Sequence, residues 1–186
     1  MSSEESIVKN EDWISAVHVR LLKSRKVFLS GEVDMALANR VMAELLLLEE
    51  QAADPITLFI NSPGGELTSG LAIYDTIKGL KCEVRTVCAG LAASIATVVL
   101  AGGTRGKRTS YRNARILIHQ PLGGVRGQAT DIEIHAREIL KARENINRIL
   151  AEDTSQSVKK LEKDTNRDFW MSAEEAKEYG IIDSLC

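Results

Sequence analysis

The stretch EVRTVCAGLAASIATVVLAGG, residues 83–103, joins two patterns of opposite kind. EVRTVCAG (83–90) alternates polar and apolar residues and ends on Gly90, as a strand does. Residues 91–101 are small and aliphatic, too long a run for a second strand, and read as a buried helix entered at about Ala92. A strand running directly into a helix predicts a layered α/β architecture, and the flanking sequence repeats the rhythm. KVFLSGEV (26–33) reads as a strand, and Asp34 can cap a helix over residues 35–51. ITLFINSP (56–63) is a short apolar strand, followed by a glycine turn and the helix LTSGLAIYDTIKGL (67–80). ARILIHQP (114–121) is a fourth strand, ended by Pro121. This βαβ alternation predicts parallel strand pairs.

Composition sets the frame. The chain has 186 residues, enough for one domain with a real core. Hydrophobic residues make up 44% and charged residues 27%, ordinary for a soluble globular protein. A net charge of -2 disfavours a general nucleic-acid binder. Cys82, Cys88 and Cys186 cannot all pair and lack metal-ligand spacing; Cys82 and Cys88 fall in or beside an apolar strand, so they are expected to be buried free thiols in a reducing compartment. The acidic start MSSEESIVKNED is unlike a signal peptide. The apolar run around Ser94 is short for a membrane span and interrupted by glycines. A cytoplasmic protein with no membrane segment is expected.

The C-terminal part is more helical. Thr130 and Glu133 form a Thr-x-x-Glu pattern that predicts a capping box opening a helix of about twenty residues, roughly 30 Å long. Such a helix either crosses the whole core or projects onto another subunit. Ser172 and Glu175 predict a second capping box, and Gly180 ends the short helix after it.

Ser94 stands near the start of its helix, where free amides suit an oxyanion, yet a serine among alanines is also ordinary packing. A serine nucleophile needs a base. His18 lies in a segment of no strong pattern, and His135 sits among charges near the start of the long helix. His119 ends the most apolar strand, where it can serve as a base or simply donate to a backbone carbonyl. Spacing cannot choose an acid among 26 carboxylates; Asp168 is a candidate because Phe169 and Trp170 beside it can shield it from water. Gly64 and Gly65 in NSPGGELTSG can turn backbone amides toward a ligand, or merely link strand to helix. No phosphate-loop pattern is present, which excludes a P-loop NTPase. The basic run TRGKRTSYRNAR (104–115) reads as a solvated hairpin.

The segments INSPGG, GLAIYDTI, IHQPLGG, GQATDIEIHAREIL and DTNRDFWMSAEEAKEYG, in this order, resemble the ClpP family, the proteolytic subunits of the Clp proteases. The resemblance runs from Arg20 to Leu185. It implies a crotonase-like (ClpP-type) head domain of layered αβ repeats with a projecting long-helix handle at about 120–152. Residues 1–186 would form one peptidase domain, with 1–17 as a divergent N-terminal segment. By the resemblance, Ser94 falls on the nucleophile, His119 on the general base and Asp168 on the orienting acid. The amides of Gly65 and Ile95 fall on the oxyanion hole. Gly65, Glu66 and Leu67, with Leu122, Gly123 and Gly124, fall on strands that pair with an extended peptide. Arg167 falls on an inter-ring contact, and Leu45 and Phe59 on the groove that docks the ATPase.

The resemblance further implies a serine endopeptidase in two stacked heptameric rings, of this chain alone or mixed with a paralogue. An AAA+ unfoldase such as ClpX, ClpA or ClpC would feed it polypeptides; no cofactor, metal, nucleic acid or membrane is implied. Two alternatives stay open: a catalytically weak ring subunit with a structural role, and an acyl-CoA enzyme of the same fold. Three positions depart from the family pattern: Ile95-Ala96 where Met-Gly is usual, Glu66 for an aliphatic residue, and Asn166 for an acidic one.

Overall fold

A computed structural model describes residues 10–121 and 126–186. The chain is α/β, as expected. Strand β1 (Lys26–Ser30) and strand β2 (Ile56–Ser62) are parallel and joined by helix α2 (Met35–Gln51). Asp34 caps α2 through a bond from the Leu37 amide at 2.7 Å. The period of two puts Val27 and Leu29 of β1, and Ile56, Leu58 and Ile60 of β2, wholly in the core. Each such side chain contributes about 1.5–3 kcal/mol by leaving water. Helix α3 (Leu67–Gly79) returns the chain to strand β3 (Val84–Ala93), again parallel to β2.

Strand β3 is longer than its alternation predicts because it has two successive neighbours. Its first half pairs with strand β4 (Arg108–Ser110) and its second half with strand β5 (Arg115–Ile118). The strand therefore continues past Gly90 to Ala93, and the helix after it, α4 (Ile95–Ala101), starts three residues later than expected. Every residue of α4 is buried. Among the described residues the sheet has seven strands: β1-β2-β3-β4 and then β7 (Ser184–Leu185) in one path, with β5 branching from β3 and pairing antiparallel with β6 (Phe169–Ser172). β7 closes the edge beside β4.

The basic run 104–115 is not a solvated hairpin. Its middle is β4, a parallel strand, and Arg108 is 5% exposed. Two arms of its guanidinium meet the Asp183 carboxylate at 2.6 and 3.0 Å, and Nη1 donates to the Asp153 carbonyl at 2.8 Å.

His18, from a stretch without strong pattern, lies on helix α1 (Asn10–Lys23), its Nε2 3.1 Å from Glu44 on α2. Helix α5 (Ala129–Thr154) is longer than expected, and the Thr130–Glu133 capping box does not form. Gln128 is the N-cap without a side-chain bond, and Glu133 pairs with Arg137 instead. Exposure runs unbroken from 126 through Glu138; burial begins at Ile146 and includes Leu150. The front of α5 therefore stands away from the core. Helix α6 (Val158–Asp164) leads to β6, and helix α7 (Ala173–Tyr179) opens on the predicted Ser172–Glu175 capping box and ends at Gly180. Cys82 and Cys88 are buried free thiols, and burial pushes Cys88 up to about 11. No described helix is long and apolar enough to cross a membrane.

Candidate functional site

Ser94 is the hinge between β3 and α4, at φ 56° and ψ −127°, a conformation L-residues avoid. Such a backbone persists only when its surroundings over-determine it. The Ser94 amide donates to the Leu117 carbonyl of β5 at 3.0 Å. Three residues on, the wholly buried Thr97 hydroxyl contacts the carbonyls of Leu117 at 2.7 Å and Ala92 at 2.8 Å, a staple beneath the junction. Gly64, at φ +89°, leans on the other side; a Cβ there would lie 2.6 Å from the Ala93 carbonyl oxygen and 2.7 Å from the Ser94 Cβ. The result lifts the Ser94 side chain to a half-buried position facing a cleft.

The cleft encloses about 490 Å³. Leu67, Ile95, Val98, Ile118, Ile146 and Leu150 contribute apolar lining, and Gly65, Glu66 and His119 share the same space as Ser94. His119 follows β5 directly. The β5–β6 register pairs Ile118 with Phe169, and one further step brings His119 opposite Asp168. His119 Nδ1 and Asp168 Oδ1 are 3.1 Å apart. Gln120 fastens the two segments, its amide donating to the Thr165 carbonyl at 2.7 Å and its side chain to the Asn166 carbonyl at 3.0 Å. The predicted shielding of Asp168 is absent: its side chain is 63% exposed, because Trp170 is itself 47% exposed and lies against Arg115. Among the described residues Ser94 Oγ makes no hydrogen bond to His119.

Gly65 faces the cleft at φ +150°, and a Cβ there would run into the Val33 backbone. The close approach is a single parallel bridge: the Val33 amide donates to the Gly64 carbonyl at 2.8 Å, and the Glu66 amide to the Val33 carbonyl at 2.7 Å. The Gly65 amide takes no part in it. Ile95 is the first residue of α4, so its amide has no intrahelical acceptor. Both amides are thus available beside Ser94.

Residues 65–67 do not form a strand. The pairing stops at Gly65, Glu66 is the N-cap of α3 and Leu67 its first residue. Hydroxyls of Ser69 at 2.7 Å and Thr68 at 2.9 Å donate to the Glu66 carboxylate and hold its pKa below the ordinary value. Leu122, Gly123 and Gly124 lie outside the described residues.

Arg167 is exposed next to Asp168. Phe59 is half-buried and stacks on Phe28, centroids 5.2 Å apart. Leu45 is no surface residue: it is wholly buried on the inner face of α2, whose exposed leucines are Leu46 and Leu47. Sequence reasoning passes over Thr97, Glu32 and Val33. Thr97, a lone hydroxyl three residues past Ser94 in an aliphatic run, is the readable signal among them. No metal-binding group is present among the described residues.

Residues 9–186 match the family model described as Clp protease. With nearly the whole chain matched, the protein belongs to the Clp protease family, peptidase subunits that generally assemble into rings and work with AAA+ ATPases.

Proposed function

We propose that the chain is a serine endopeptidase subunit of a Clp-type self-compartmentalised protease, cleaving unfolded polypeptides fed by an AAA+ ATPase and short peptides on its own. The observation that carries this reading is the convergence, on one cleft, of a serine held in a strained strand-to-helix junction and a histidine engaged by a carboxylate. With Nδ1–H donated to Asp168, His119 Nε2 keeps the lone pair that takes the Ser94 proton as Oγ attacks the peptide carbonyl carbon. The oxyanion forms toward the Gly65 and Ile95 amides. His119 then returns the proton to the departing amine as the C–N bond breaks, and repeats the cycle with water to release the acyl group.

Gly65 and the segment 122–124 would pair with the substrate main chain, so affinity would come largely from backbone bonds. The exposed front of α5 suits the handle between two stacked heptameric rings, with Arg167 at their contact. Phe59 belongs with the groove for the ATPase. A cytoplasmic location and rings of this chain alone, or mixed with a paralogue, complete the proposal.

The structural-subunit reading draws on the missing bond between Ser94 Oγ and His119 and on the exposure of Asp168. Intact mass after fluorophosphonate treatment separates the two. The expected result is one adduct in the wild-type assembly, none in Ser94→Ala, and labelling slowed at least 10²-fold in His119→Ala. An unlabelled wild-type ring would give the structural reading the lead.

A further inference from the structure

Glu32 and Glu66 are the carboxylates lining the cleft, and no lysine or arginine lines it with them among the described residues. Both acids reach one rim by a single device. Glu32 precedes Val33 and Glu66 follows Gly65, and the Val33–Gly65 bridge clips the two segments together. Both residues are exposed at that rim. Among the described residues Glu66 has no cationic partner and is held by two neutral hydroxyls. They fix its position without cancelling its charge, and Ser69, 6% exposed, anchors one of them.

Within the serine-peptidase reading this arrangement is a liability that a substrate can remove. The carboxylate follows the very residue whose amide would receive the oxyanion, so two negative charges approach one another as Ser94 attacks. A neutral substrate leaves that repulsion in place. From this we infer that the cleft selects a cationic side chain, lysine or arginine, beside the scissile bond, with Glu66 as the main specificity determinant and Glu32 in support. The apolar lining of Leu67, Val98, Ile146 and Leu150 would take the methylene stem while the charged end meets the rim. The Ser69 and Thr68 hydroxyls hold the Glu66 pKa below its ordinary value, so the charge is present across the physiological range.

The inference rests on Ser94 as the attacking residue, and the test separates the two. The assembled full-length chain is given fluorogenic peptides identical except for lysine or norleucine, placed in turn at each position flanking the cleavage site. At one or more positions kcat/KM is expected to favour lysine by about 3- to 10-fold, the range of one charge pair in a partly solvated site. The preference should fall to near unity in Glu66→Gln, and shrink as salt is raised toward about 0.5 M. In parallel, fluorescence anisotropy measures the same peptides binding to Ser94→Ala, alone and combined with Glu66→Gln. A wild type that labels at Ser94 but shows equal lysine and norleucine rates overturns the inference alone. An unlabelled wild type overturns the serine-peptidase reading, and the binding series then decides the charge preference by itself.

Discussion

Ser94 is held from three directions, by its amide on Leu117, by the Thr97 staple beneath it and by Gly64 against its Cβ. Asp168 is 63% exposed, and among the described residues its carboxylate meets one partner, His119. The serine side grows out of the central strand β3 and the buried helix α4. The acid side sits just past the β5–β6 pair, where the sheet turns antiparallel and residues 166–168 are exposed. The backbone at Ser94 is fixed within the single chain, whereas the Asp168 side chain is open to whatever covers that edge. The ratio of rate loss to stability loss should therefore differ between the two sides.

Asp168→Asn tests the exposed side and carries the largest expected rate effect. If Asp168 sets the tautomer of His119, the amide reverses it, and kcat for peptide hydrolysis should fall by about 10⁴ near neutral pH. Because the side chain is solvated and makes one bond, the melting temperature should stay within about 1 °C. A loss of less than tenfold would take Asp168 out of the proposed triad.

Gly64→Ala tests the held side, where stability and rate should fall together. A methyl group would have to lie 2.6 Å from the Ala93 carbonyl oxygen at a φ of +89°, so the junction must shift. About 2–4 kcal/mol of stability should be lost. Labelling of Ser94 should slow by roughly 10²–10³, the cost of a misplaced nucleophile and oxyanion donor. Denaturant unfolding and labelling rates on the same samples read both numbers. If Gly64→Ala and Asp168→Asn show the same ratio of rate loss to stability loss, the contrast between the two sides is wrong.

The same contrast explains which parts of the molecule can be read from sequence alone. β1, β2, α2 and α3 are legible because each buries one face and repeats with its own period. The β3–α4 junction is legible in kind, but its boundary moves because the reach of β3 depends on β5, a partner more than twenty residues away. β4 is hidden because a buried arginine looks like a solvated one until Asp183, 75 residues on, is beside it. Asp168 is beyond reach from spacing alone, since only the β5–β6 register brings it opposite His119; the family resemblance supplies it instead. The exposure of the front of α5 is likewise invisible to a helical period, which says that a face is apolar and not what covers it.

The Arg108–Asp183 pair lies away from both sides of the cleft, so it should act on the fold and least on the chemistry. Arg108 is 5% exposed and holds β4 to the segment before β7, with the Asp183 amide also donating to the Arg108 carbonyl at 2.7 Å. Burial raises the Asp183 pKa, but bonds from the Arg108 side chain and amide outweigh it and leave the carboxyl below its ordinary value. A carboxyl whose folded pKa is depressed contributes stability that is present above its unfolded pKa and lost as pH falls through the folded one. The contribution should therefore be constant from neutral pH to about pH 4 and disappear below it. Asp183→Asn leaves Arg108 buried without its counter-charge. At neutral pH it should cost about 2–3 kcal/mol, discounted because the Asp183 side chain is 21% exposed. For a chain of this size that lowers the melting temperature by roughly 4–12 °C. The gap between wild type and variant should close in strong acid, while the labelling rate of Ser94 below the transition changes less than about threefold. A gap that stays constant down to about pH 2 would mean that Arg108 is held by the Asp153 and Ala101 carbonyls and that the carboxylate is incidental.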